Sequence, residues 1–85
     1  MEISEINKNS ENNIIHSDVT GIDYNPFTSV RIINIKQSMM YLKNGCKLLD
    51  LYVSVSKDDR PVLCFIFDRK ESKKYYDLWC NYELN

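Results

Sequence analysis

Arg69, Lys73, Tyr76 and Cys80 recur at i, i+4, i+7 and i+11 near the C-terminal end of the sequence, with Lys70 and Lys74 beside them. On a helix this spacing gathers the four into one stripe, and their chemistry is that of recognition rather than bond breaking. Guanidinium and ammonium groups pair with carboxylates and phosphates. Tyr and Arg are the residue types that anchor protein interfaces. Cations interleaved with an aromatic also suit a phosphate backbone and a stacked base. Three uses therefore stay open for Arg69, Lys70, Lys73, Tyr76 and Cys80: a contact with a partner protein, a contact with nucleic acid, or a solvated face with Tyr76 lying along its flank.

Catalysis finds little to work with. His16 is the one histidine, and a Cys–His pair would need Cys46, Cys64 or Cys80 to reach it in space. Cys64 falls in an apolar strand, where a thiol behaves as a small hydrophobe. No set of His and Cys has metal-ligand spacing. The two carboxylates of "SKDDR" sit at a hairpin tip, where Asp is ordinary turn chemistry. With two glycines in the chain, no Gly-rich phosphate loop exists. The expectation is a protein that is not an enzyme and carries neither cofactor nor metal.

The stripe needs a helix to hold it, and "DRKESKKYYDLWCNYEL" supplies one. Asp68 is a cap with Glu71 three residues on, the clearest helix start in the chain. At about 100° per residue, Tyr75, Leu78, Trp79 and Tyr82 form the face that should bury against a sheet. Before it, "PVLCFIFD" is a strand apolar on both faces, Leu63, Phe65 and Phe67 opposing Val62, Cys64 and Ile66. "CKLLDLYVSVS" alternates, with Leu49, Leu51, Val53 and Val55 opposing Leu48, Asp50, Tyr52 and Ser54. The polar loop between these two strands predicts an antiparallel hairpin. "NIKQSMMYLKNG" reads as a helix capped by Asn34, with Gln37 at the capping-box position and Gly45 as a left-handed stop. Its shared face is Ile35, Met39 and Leu42, with Met40 and Tyr41 on the flanks. "SVRII" is a short β-branched strand.

The order β-α-β-β-α predicts an α+β domain over 14–85: a three-stranded antiparallel sheet with both helices on one face. Residues 14–27 would add an N-terminal extension with a short strand around Ile14 to Val19, then a turn and a loop. Residues 1–13 are polar and read as a flexible arm. One face of the 61–67 strand is then left over. It needs a cover, either the 14–27 segment with Ile14, Ile15, Val19, Ile22, Tyr24 and Phe27, or a partner chain, whether a second copy or a target.

Eleven basic residues against twelve acidic ones leave a net charge of −1, which argues against a general nucleic-acid binder without excluding a local basic stripe. The start "MEISEINKNSENN" has no cationic segment followed by an apolar run, and no apolar stretch approaches a membrane span. Three cysteines without CxxC spacing fit free thiols in a reducing cytoplasm.

From about Ile33 to Trp79, just over half the chain, the sequence resembles small uncharacterised proteins of Gram-positive bacteria, their phages and mobile elements. The matching features are "IKQSMMYLKNG", the hairpin ending in "FIFD", and a short helix carrying Trp79. The resemblance brings no catalytic residues. It implies a phage-type protein in the host cytoplasm that binds and blocks a host protein, including defence effectors such as CRISPR nucleases. The expectation is therefore a binding protein with a host-protein partner. A small nucleic-acid-binding regulator and a homodimeric accessory protein are the alternatives.

Overall fold

Phe65 and Phe67 lie on one face of the middle strand of a three-stranded antiparallel sheet, and both helices pack over them. The computed structural model describes residues 13–85. In chain order these form β1 (Ile15–His16), β2 (Asp23–Tyr24), a 3-10 turn (Pro26–Thr28), β3 (Ser29–Ile32), α1 (Ile35–Lys43), β4 (Leu48–Val55), β5 (Pro61–Asp68) and α2 (Arg69–Cys80). The large sheet has the order β3-β5-β4, and β1 and β2 make a separate two-stranded hairpin. The architecture is α+β, with the two helices and three-stranded antiparallel sheet expected from the sequence. The arm assigned to residues 1–13 lies, but for Asn13, outside the described residues.

Local chemistry sets the element ends. Asn34 Oδ1 accepts the Gln37 N–H at 3.0 Å and so starts α1, while Gly45, at φ +99°, turns the chain out of it. Asp68 Oδ2 accepts the Glu71 N–H at 2.9 Å. That bond starts α2 on the last residue of β5, with no loop between them.

The core is an aromatic cluster. Tyr41 of α1 stands 5.2 Å from the ring of Phe67 and 5.9 Å from that of Tyr75, both tilted, so one ring from each helix and one from β5 meet. Cys46, Phe65 and Leu84 complete the buried set.

This cluster corrects the helix faces expected from periodicity. In α1 the inward residues are Ser38 and Tyr41, whereas Ile35 and Met39 are 56% and 53% exposed. The docking of one large ring turned the helix, and the small Ser38 beside it lets the backbone come close. In α2 the buried residues are Ser72 and Tyr75, with Trp79 partly covered and Leu78 exposed. Tyr82 is 95% exposed because α2 ends at Cys80 and Tyr82 adopts a left-handed φ of 59°, which takes it off the stripe. Leu84 turns back into the core in its place.

In β4 a register shift between Leu48 and Asp50 makes a bulge at Leu49. It puts Leu48 opposite Phe67 and Leu51 opposite Phe65, so Leu48 joins the helix face instead of siding with Asp50. Val53 and Val55 keep the expected face but are 65% and 63% exposed, since the β4–β5 hairpin runs on past the core beneath the helices.

The other face of β5 is covered by the chain itself. Cys64 and Ile66 are buried there, and so is Tyr24 of the β1–β2 hairpin. The 14–27 segment contributes two strands rather than one. Its fastening is polar: Tyr24 Oη and Ser17 Oγ both donate to the buried Asp50 carboxylate, and Thr20 Oγ1 donates to the Leu49 carbonyl at 2.7 Å, at the bulge.

Candidate functional site

Because α2 begins directly on β5, the strand dictates how the helix is turned. Tyr75 and Ser72 face inward, so the residues next to them around the helix, Arg69, Lys73 and Tyr76, are directed to the side where α1 and β3 lie. The helices do not close over β3 completely. They leave a groove of about 450 Å³. Its apolar surface comes from Val30, Ile32 and Ile33. One wall is the start of α1, with Asn34, Gln37 and Tyr41, and the other is Arg69, Ser72, Lys73 and Tyr76 of α2.

The charges in the groove have one sign. Arg31, Arg69 and Lys73 line it and no carboxylate does, in a chain whose net charge is −1. Arg69 Nη2 donates to the Ser29 carbonyl at 3.3 Å, which holds the guanidinium beside β3 with its other donors unspent. Lys73 Nζ donates to both Asp77 carboxylate oxygens at 2.8 Å. This bond, and the field of the carboxylate, hold the ammonium above its ordinary pKa. The pair is exposed, so it fixes the side chain's position while adding little stability. Tyr41 Oη accepts from Gln37 Nε2 at 2.9 Å at the bottom of the wall, and burial pushes this phenol up, so it stays neutral. Tyr76 is half exposed at the rim.

The stripe read from the sequence is therefore divided. Arg69, Lys73 and Tyr76 meet in the groove. Cys80 lines a second depression of about 610 Å³ with Lys36, Met40, Trp79, Tyr82 and Leu84, and Lys70 is exposed but borders neither. The wall and floor residues Val30, Ile32, Gln37 and Tyr41 were missed. The only sequence signal for them was the shortness of "SVRII", which suits a strand at the margin of a sheet.

Elsewhere His16, Cys46 and Cys64 are occupied or shielded, whereas Cys80 is an exposed free thiol. His16 Nδ1 stands 2.6 Å from Asp23 Oδ1 on the outer hairpin. Cys46 is in the helix-side core, where burial, with nearby Glu71 adding to it, pushes its thiol up to about 11. Such a thiol is protonated at neutral pH and a poor nucleophile.

The chain matches no protein-family model, no curated protein and no solved structure. Among the described residues, no helix is long and apolar enough to cross a membrane. What the site can do thus rests on its own geometry: it offers an apolar trough lined by Arg31, Arg69 and Lys73, the last already paired with Asp77.

Proposed function

We propose that this chain is a protein-binding module that acts by occupying a surface of another protein, not by catalysing a reaction. The observation that carries this reading is the groove between β3, α1 and α2, where Arg69, Lys73 and Tyr76 converge over Val30 and Ile32. An apolar floor rewards burial of apolar side chains, and the Arg and Tyr at its rim are the residue types that supply binding energy at interfaces. The resemblance to small phage and mobile-element proteins makes the reading more specific: the chain would block a host protein, a CRISPR nuclease or other defence effector among them, in the host cytoplasm.

The test is capture from a lysate of Gram-positive host cells by the immobilised chain, compared with the double variant Arg69→Glu/Tyr76→Ala. The reading predicts a protein retained by the native chain and lost with the variant, while both unfold at nearly the same temperature. Equal retention by the two would overturn it.

Arg31 and Arg69, lining the same groove as an exposed Tyr76, also favour a second reading, a small nucleic-acid-binding regulator. It predicts retention on a DNA or RNA column with steep salt dependence, and flow-through at low salt would dismiss it.

A further inference from the structure

We infer that the free edge of β4 is a self-association surface: two copies of this chain pair their β4 strands antiparallel about a two-fold axis at Val53, joining their sheets into one. The inference does not depend on the groove, which lies along β3 at the opposite margin of the sheet.

The edge is open and directed outward. β4 pairs with β5 on one side and with no strand on the other among the described residues. At the closed end of this hairpin, Ser56 donates its N–H to the Arg60 carbonyl at 2.8 Å. Antiparallel pairing alternates from there, so Ser54 and Tyr52 also bond toward β5, while Leu51, Val53 and Val55 direct their N–H and C=O groups outward. The Leu51 N–H is taken by Asp50 Oδ1 at 2.8 Å. The outward groups of Val53 and Val55 have no partner among the described residues.

This edge also lacks the features that keep such strands apart. From Leu51 to Ser56 it carries no charge and no proline, and the bulge at Leu49 lies before it. α1 packs over β3 and α2 over β5, so the helix side of β4 is left uncovered beyond Leu51, with Val53 and Val55 exposed. Tyr52 is exposed on the other side.

A second copy is the occupant these residues fit. An axis at Val53 lets the two Val53 residues exchange N–H and C=O bonds, and lets the Val55 N–H reach the Leu51 carbonyl of the other copy. On the helix side, Leu51 then opposes Val55 and Val53 opposes Val53, apolar on apolar. On the other side, Tyr52 opposes Ser54, and the two Tyr52 rings become diagonal neighbours within aromatic reach. Asp50 falls opposite Ser56, so no like charges meet. An acidic or basic partner would find no counter-charge along 51–56. A strand pair this short buries less than the roughly 1,200 Å² of stable complexes, so the dimer is reversible. It leaves both β3 grooves open at its outer margins.

Sedimentation velocity of the full chain from about 10 µM to about 1 mM tests the association. The inference predicts a dimer fraction that rises with concentration, and an affinity weakened roughly tenfold or more by Val53→Lys, which sets two ammonium groups against each other at the axis. Val53 is exposed, and unchanged circular dichroism will show that the variant folds. Disulfide trapping tests the register, in a Cys80→Ser background because Cys80 is an exposed free thiol. Val53→Cys should give a covalent dimer under added oxidant, since directly opposed residues lie within disulfide reach. Val55→Cys should not, because its own copy lies four residues along the opposing strand, about 13 Å away.

A monomer across the whole range would overturn the inference. So would a dimer that Val53→Lys leaves intact, or equal trapping by Val53→Cys and Val55→Cys. None of these outcomes bears on the binding-module reading, which the capture experiment judges.

Discussion

The Tyr24 hydroxyl donates to Oδ2 of Asp50 across 2.5 Å, and this bond joins the β1–β2 hairpin to the beginning of β4, beside its bulge. Ser17 Oγ occupies the other oxygen at 2.6 Å, and the Leu51 N–H adds a third donor at 2.8 Å. A charge buried on a sheet face is tolerable because it is so fully bonded. Removing one donor should therefore be costly. Tyr24→Phe is predicted to destabilise the chain by about 1.5–3 kcal/mol, the range for a hydrogen bond to a charged group. Urea denaturation measures this, and a loss below about 0.5 kcal/mol would contradict it.

The same carboxylate makes stability depend on acid. Burial pushes Asp50 up, but the bonds from Ser17, Tyr24 and Leu51 outweigh it and hold the group below its ordinary pKa. A folded-state value below the unfolded one, about 3.9, means that the native state binds its proton less readily. The contribution is therefore complete above the unfolded value and drains away as pH falls through the lower folded one. Melting temperature followed downward from pH 6 should show this loss, and Asp50→Asn should flatten that part of the curve. An acid limb of unchanged steepness in the variant would contradict the assignment.

Ser38 faces the core of α1 with no hydrogen-bond partner for its hydroxyl. Its small size is what the packing needs, and its oxygen is a cost. Ser38→Ala should stabilise by about 1 kcal/mol through removal of the unpaired group and a better helix propensity. Ser38→Leu should destabilise sharply by forcing α1 off the sheet. Thermal unfolding of the two variants reports both signs.

On the same helix, Ile35→Glu and Met39→Glu should each change stability by no more than about 0.5 kcal/mol, as surface substitutions do. Tyr41→Ala, which empties the point where α1, α2 and β5 meet, should cost about 3–5 kcal/mol. Chemical denaturation of the three variants tests the corrected helix face. A large loss at Ile35 with tolerance at Tyr41 would restore the periodic reading.

The contrast between these residues shows where sequence was enough. Element order and helix starts are local matters. Asn34, Gly45 and Asp68 announce themselves by chemistry within three or four residues, and the alternation of "PVLCFIFD" states that both faces of β5 must be covered. The inward face of α1 is a tertiary matter. Ile35 and Met39 are more apolar than Ser38, yet the fit of the Tyr41 ring against Phe67 and Tyr75 decides the rotation. The bulge at Leu49 likewise reverses Leu48 with nothing in "KLLDL" to mark it. For the site, helical spacing placed Arg69, Lys73 and Tyr76 together correctly. Their joining with Val30 and Ile32 depends on β3 lying at the sheet edge, which strand order alone determines.

The central claim, that the β3 groove is where another protein docks, is tested most directly by amide hydrogen exchange of the chain, free and held in its captured complex. The account predicts new protection over residues 29–34 and 69–76, with the β4–β5 hairpin tip around residues 56–60 unchanged. Protection at that tip or on the β1–β2 hairpin, with residues 29–34 exchanging as in the free chain, would contradict it.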